Sequence, residues 1–210
     1  MPGVMTDFTP LPRTFYAPSA EAVAPELLGH WLIRNTAEGH CGGQIVETEA
    51  YVTDDPACHA APGLTPRNRV MFGPPGHAYV YFIYGCHFCV NAVCRPPGTG
   101  EAVLIRAIEP AFGRDFMRRR RSTHEARHLT SGPGKLCQAL GIDRTLDGVD
   151  LCQTGSPLFI AQNPGAHEFR KRFGPLVTTK RIGITRAAHL PLRFFLRHSA
   201  SVSRAGRGET

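Results

Sequence analysis

Glu47, Glu49 and Tyr51 stand at alternate positions in the run Val46-Glu47-Thr48-Glu49-Ala50-Tyr51. The run is rich in β-forming residues, and side chains alternate along a strand, so the three share one face. Two carboxylates and a phenol on one face fit two descriptions. One is a solvated strand face. The other is a carboxylate at a strand end beside an aromatic platform. The second suits a reaction that passes through an oxocarbenium-like sugar, as glycoside hydrolysis does.

Three of the five tyrosines fall in Tyr79-Val80-Tyr81-Phe82-Ile83-Tyr84-Gly85. Tyr79 and Tyr81 share a face, and Tyr79 reads as ordinary sheet packing. Tyr84 falls on the opposite face, beside a turn expected at Gly85-Cys86 with Gly85 at the first central position of a type II′ hairpin. A tyrosine there can project as a wedge of the kind that unstacks base steps from the minor groove.

The charge is +7 and the isoelectric point about 9.3. All but three of the 24 basic residues are arginines, the lysines being Lys135, Lys171 and Lys180. Arginine presents a planar fork that fits phosphate oxygens. Such a balance points to a polyanionic partner, nucleic acid first. An enzyme that acts on a base needs a wedge, a pocket with aromatic walls and phosphate-binding cations. The chain has candidates for all three.

The elements that must position these groups follow from pattern. Residues 1–18 carry four prolines and read as an arm wrapped on the domain. Ser19 can cap a helix over 20–28 that Gly29 ends. His30–Ile33 and Gln44–Tyr51 read as strands, with Gly39 and Gly42-Gly43 bracketing the turn between them. Residues 52–77 form a long loop rich in Pro and Gly that holds His59 and Thr65-Pro66-Arg67-Asn68-Arg69. Loops of that length are often functional. Tyr79–Tyr84 and His87–Val93 make a hairpin, and Ala102–Ala107 another strand. Residues 110–127, with Arg118 to Arg121, read as a helix whose arginines are a solvated face or a phosphate clamp. Ser131 can cap a helix through Leu140 that Gly141 ends. Leu158–Ile160, Arg181–Ile184 and Arg193–Leu196 read as late strands. The expected fold is α+β. It is a single mixed domain over 19–199, with a curved, mainly antiparallel sheet, surrounding helices and a protruding hairpin. Residues 200–210 are expected to form a flexible tail.

No apolar segment follows Met1-Pro2-Gly3-Val4-Met5, and no apolar run approaches the ~18 residues of a membrane span. The cytoplasm is therefore the expected compartment, with reduced thiols. Cys86-His87-Phe88-Cys89 with Cys94 resembles a zinc site only superficially, because no second Cys-x-x-Cys pair completes it. Neither a metal nor another cofactor is expected. Gly132-Pro133-Gly134-Lys135 lacks the Ser or Thr of a phosphate loop and reads as a helix start.

Several motifs together resemble the alkyladenine (3-methylpurine) DNA glycosylase family. They are Glu47-Thr48-Glu49-Ala50-Tyr51, Thr65-Pro66-Arg67-Asn68-Arg69 with Met71-Phe72, Tyr79-Val80-Tyr81 with Tyr84-Gly85, and Ser131-Gly132-Pro133 with Lys135 to Leu140. Their order and spacing match from about Leu11 to Ser199. The resemblance implies a monofunctional DNA glycosylase of base excision repair. Such an enzyme flips an alkylated or deaminated purine from duplex DNA and hydrolyses its bond to the sugar. Glu49 matches the general base and Arg106 the arginine near the water and phosphate. Tyr51, His59 and Tyr81 match pocket walls, and Asn91 the residue that disfavours the guanine amino group. Tyr84 matches the intercalating side chain. Arg67, Arg69 and Lys135 are candidates for the DNA backbone. The implied partner is double-stranded DNA containing damaged purines, bound by a monomer. The chain departs from the family pattern at Arg95–Gly100, which is longer, and at Cys86-His87. Two other classes compete. A bifunctional glycosylase-lyase needs an amine, and no lysine lies in the segments expected to form the pocket. A non-catalytic zinc or nucleic-acid-binding module is the other.

Overall fold

The computed structural model describes residues 8–203. Its organising element is β2 (Gly39–Tyr51), which pairs along one edge with β5 (Glu101–Phe112) and along the other with β1 (Trp31–Thr36) and then β8 (Arg193–Leu196). β4 (His87–Cys94) and β3 (Ala78–Ile83) continue the sheet beyond β5, β6 (Leu158–Ala161) lies outside β1, and β7 (Leu176–Thr179) pairs β8. Every one of these pairings is antiparallel. The sheet curls, and β2 carries the cause. Its register against β5 shifts between Gly42 and Gly43, between Ile45 and Glu47, and between Glu47 and Thr48. Bulges bend a strand and re-aim its side chains, and two of these three shifts border Glu47.

Alternation along the central strands divides the molecule into two layers. Thr48 and Ala50, Val80, Val90 and Ala92, and Val103 and Ile105 face the main core with the helices. Glu47, Glu49 and Tyr51, Tyr79 and Tyr81, Cys89 and Asn91, and Leu104 and Arg106 take the alternate positions. One row of paired residues runs Tyr79–Asn91–Leu104–Glu49–Arg193 across five strands.

Among the described residues four helices cover the core. In α1 (Ala20–Glu26) the Ser19 hydroxyl accepts the Ala22 N–H, and Val23 and Ala24 are buried. α2 (Arg114–Arg121) follows Gly113, whose φ is +66° and where a Cβ would lie 2.3 Å from Cys41 Cβ. α3 (Pro133–Leu140) begins on a proline, buries Leu136, Cys137, Ala139 and Leu140, and ends at left-handed Gly141. Each buried Leu contributes about 1.5–3 kcal/mol to the packing. α4 (Ala166–Arg172) packs Phe169 at the core edge. No helix among the described residues is long and apolar enough to cross a membrane.

The mixed α+β domain, curved antiparallel sheet and protruding hairpin match expectation. Several local readings do not. β2 begins at Gly39, so Gly42-Gly43 lies within a strand rather than in a turn. Glycine is required there because a Cβ would fall 2.2 Å from Leu32 O at Gly42 and 2.0 Å from Glu109 O at Gly43. β5 runs on to Phe112, which leaves only Arg114–Arg121 of the expected 110–127 helix. Gly132, not Ser131, is the N-cap of α3. Arg181–Ile184 is a loop, because its Arg181 side chain and Ile182 N–H are bonded to carboxylates instead of a neighbouring strand. The arm packs through Phe8, Leu11 and Tyr16, all buried. The expected tail begins with an ordered stretch: Ser201 and Ser203 are buried and the Ser203 N–H donates to Glu47 Oε2 at 2.7 Å. The remainder of the arm and tail, 1–7 and 204–210, lies outside the described residues.

Candidate active site

Glu49 is fully buried, accepts two hydrogen bonds and forms one ion pair. The Ile182 N–H donates to Oε1 at 2.8 Å and the Tyr51 hydroxyl to Oε2 at 3.0 Å, while Arg106 Nη1 pairs with Oε2 at 3.1 Å. An ionised carboxylate has about four lone-pair sites, so acceptor capacity is left for a water. Glu47, equally buried, accepts from Arg106 Nε at 3.0 Å, Arg193 Nε at 2.6 Å and Ser203 N–H. Two carboxylates and two guanidiniums thus balance in a buried place, where an unpaired charge would be costly. Burial alone would lower the Arg106 guanidinium, but the Glu49 and Glu47 carboxylates outweigh it and raise it above its ordinary value. Burial, reinforced by Glu49, holds the Tyr51 phenol well above its ordinary range, so Tyr51 stays a donor.

In front of this network lies a cavity of about 460 Å³. Tyr51, Arg106 and Ile182 line it, and Glu49 sits directly behind those three. Its aromatic side is Tyr51, His59, Tyr79 and Tyr81, with Leu104 and Met71 adding apolar surface. The His59 and Tyr81 ring centroids are 4.4 Å apart and the Tyr79 and Tyr81 centroids 5.4 Å. His59 Nδ1 is 2.9 Å from the Tyr79 hydroxyl. Burial, then Arg67, lowers His59 below its usual value, so the ring is neutral at neutral pH. Burial raises the Tyr79 phenol to about 12. Asn91 is buried, lines the cavity and donates Nδ2 to Tyr79 O at 3.0 Å, which fixes its side chain against the cavity wall. A flat ring sandwiched by these side chains would meet apolar faces and few, oriented polar atoms.

Tyr84 stands at the rim, 75% exposed. The β3–β4 turn is centred one residue earlier than expected. Cys86 N–H donates to Ile83 O, and Tyr84 and Gly85 are the central pair, with φ of +54° and +69°. Both in the left-handed region give the type I′ character that matches strand twist. A bulky residue there is unusual and strained.

The cationic candidates divide. Lys135 lines the cavity mouth beside Gly132 and Gly134. α3 brings this lysine to the cavity from outside the segments expected to form the pocket. Arg67 donates to Phe82 O and lies over Tyr81, so it braces the hairpin. Arg69 is exposed on the short 3-10 turn Arg69–Phe72. In the arginine run, Arg118 pairs with Asp115 and Arg119 with Glu38, while Arg120 packs on Ala139; Arg121 alone borders the cavity.

Cys86 is exposed at the hairpin tip, whereas Cys89 and Cys94 are buried in β4. Among the described residues no three His, Cys, Asp or Glu side chains converge as a metal site requires.

Sequence reasoning missed Ile182, Arg181 and Arg193, which lie 130 positions or more from β2 and carry no local motif. It also undervalued Tyr79, which holds His59, and Asn68, whose amide donates to His59 O at 2.8 Å and Gly63 O at 2.9 Å. The alternate-face rule could have found Tyr79.

A family model described as methylpurine-DNA glycosylase matches residues 14–200, which include the buried carboxylates, the cavity and the Ile182 loop. A protein of Methanoculleus marisnigri named "Putative 3-methyladenine DNA glycosylase" is 50% identical over 194 residues, covering 92% of this chain and 98% of the relative. One of the same name from Rhodopseudomonas palustris is 51% identical, covering 92% and 88%. Another from Agrobacterium fabrum is 48% identical over 198 residues, 94% of each chain.

Proposed function

The chain belongs to the methylpurine-DNA glycosylase family, and from that membership we propose a specific chemistry for the buried carboxylate. The protein is a DNA N-glycosylase, a hydrolase of base excision repair. In our reading its substrate is a damaged purine in duplex DNA, alkylated or deaminated. Tyr84 enters the stack, the nucleotide rotates out, and the base lodges between Tyr51, Tyr81 and His59. Asn91 meets the base edge and disfavours a guanine amino group. Arg67, Arg69 and Lys135 hold phosphates. Glu49 takes a proton from a water as its oxygen bonds to the sugar C1′. The C1′–N bond breaks and its electron pair leaves with the purine: a cationic alkylpurine departs as the neutral base, a neutral deaminated purine takes up a proton from solvent as it leaves, and the products are a free base and an abasic site.

The observation that carries this reading is the placement of Glu49. Its carboxylate lies behind the wall of an aromatic cavity roomy enough for a purine, with acceptor capacity left over beside Ile182, Tyr51 and Arg106. The test is single-turnover excision from matched duplexes bearing 3-methyladenine, 7-methylguanine, hypoxanthine or ethenoadenine. Release of at least one free base with an intact abasic strand supports the reading. Release of none would overturn it.

One observation favours a second reading. Lys135 lines the same cavity, so the amine that a lyase needs is within the site. A lyase would form a Schiff base with the sugar and cut the strand. We propose the monofunctional course, in which Lys135 meets phosphate.

A further inference from the structure

The Asp55–Arg181 pair lies outside the network that handles Glu49, yet it touches Tyr51 and joins the two loops that carry His59 and Ile182. Both side chains are fully inaccessible. Arg181 grips Asp55 with both Nη atoms, Nη2 to Oδ1 at 3.1 Å, and donates Nη1 to Ala50 O at 3.0 Å at the end of β2. Its guanidinium carbon is 4.7 Å from the centroid of the Tyr51 ring. The next residue is Ile182, whose N–H holds Glu49 Oε1. On the other side Asp55 accepts the Ala57 N–H at Oδ1 and its carbonyl accepts the Cys58 N–H, which shapes the turn that delivers His59.

The geometry points to Asp55 and Arg181 as a positioning pair for base excision. It is a buried clamp that sets the Tyr51 ring plane, the His59 loop and the Ile182 N–H together. This rests on the glycosylase reading and adds a specific claim to it. Ion pairs of this kind contribute little net stability, and apolar side chains of similar volume often replace them without loss. What the fork supplies here is direction. It fixes a bidentate angle at Asp55 and a stacking distance at Tyr51, which an ammonium cannot reproduce. In the 52–77 loop Tyr79 and Asn68 also hold His59, whereas in 180–192 Arg181 and the Ile182 N–H tie the chain to β2 beside the cavity, so release of the clamp frees the Ile182 side most. Small misplacements of reacting groups cost rate far more than affinity.

The test compares the whole protein with Arg181→Lys and with the paired replacement Asp55→Asn/Arg181→Met, on whichever lesion duplex the unaltered protein excises fastest. The paired replacement leaves no buried charge alone, so its melting temperature stays near the unaltered one. Its single-turnover rate falls by about 10–100-fold, while its lesion-duplex dissociation constant stays within about twofold. Arg181→Lys keeps the charge and recovers part of the loss. A paired variant that melts normally and excises at the unaltered rate would overturn the clamp, as would a rate loss matched by an equal loss of affinity. If the paired variant does not fold, Arg181→Lys decides: slowed excision at unchanged affinity supports the clamp, and an unaltered rate overturns it. Failure of the unaltered protein to excise any lesion removes the glycosylase reading and the clamp together.

Discussion

Arg106 Nη1 lies 3.1 Å from Glu49 Oε2 while its Nε lies 3.0 Å from Glu47 Oε1, so one guanidinium joins the two carboxylates of a single strand face. The pair Glu47–Arg106 fixes where Arg106 can point. Arg193 and Ser203 anchor Glu47 from β8 and the chain beyond it. Glu49 is thereby held by groups that do not need to move when a water arrives, the preorganisation that makes buried polar sites effective.

Tyr84 carries backbone strain at the rim of the cavity. Its φ of +54° costs about 1–2 kcal/mol for a side chain with a Cβ. Tyr84→Gly relieves that strain, with part of the gain returned through the freer unfolded chain. We expect unchanged or slightly raised thermal stability, by about 0.5–1 kcal/mol, together with weakened flipping. Fluorescence of a base analogue beside the lesion reads the flipping step. Equal flipping by variant and unaltered protein would remove Tyr84 from the role of wedge.

Much of this site was legible because it is local. Alternation in Val46–Tyr51 and Tyr79–Tyr84 put Glu49, Tyr51 and Tyr81 on the right face without knowledge of the fold. Tyr84 was found as a rim residue, yet its turn was placed one residue late, because Gly85 suits either central position. Ile182 and Arg181 were invisible for a different reason. Their contribution is one backbone N–H and one buried fork, brought to β2 by tertiary packing, and Arg181-Ile182-Gly183-Ile184 reads locally as a strand. The helix expected over 110–127 failed because β5 wins Glu109 to Phe112 through pairing with β2, which overrides local helical pattern.

His30 supplies a pH dependence separate from catalysis. Burial, followed by the Arg170 guanidinium, lowers it from 6.5 to about 4. Its Nδ1 accepts the Asn163 N–H at 3.1 Å, which only the neutral ring can do. The unfolded chain takes up this proton at a higher pH than the folded one. The stability involved is therefore complete above pH 6.5 and is lost as pH falls towards 4. We expect a loss of about 1–2 kcal/mol, less than the full linkage value because solvent screens a partly exposed ring. Melting temperatures from pH 7.5 to 4 should fall more steeply for the unaltered protein than for His30→Asn, whose Oδ1 still accepts the bond. Parallel curves would contradict this.

Lys135 separates the two modes of bond cleavage. A monofunctional enzyme leaves no covalent adduct, so borohydride added during turnover on lesion duplex should trap no protein–DNA species. Lys135→Ala should then weaken duplex binding and flatten its salt dependence by about one unit of slope. A trapped adduct that disappears in Lys135→Ala would establish the lyase course instead.

The account turns on Glu49 as the group that activates water, and Glu49→Gln tests it most directly. Glutamine keeps the shape and can still accept from Ile182 N–H, but it takes no proton from water. General-base catalysis contributes about 10²–10⁴-fold. The measurement is single-turnover excision, with lesion-duplex affinity recorded on the same preparations. The account predicts a rate loss at least that large with affinity retained. Excision by Glu49→Gln at close to the unaltered rate would contradict it.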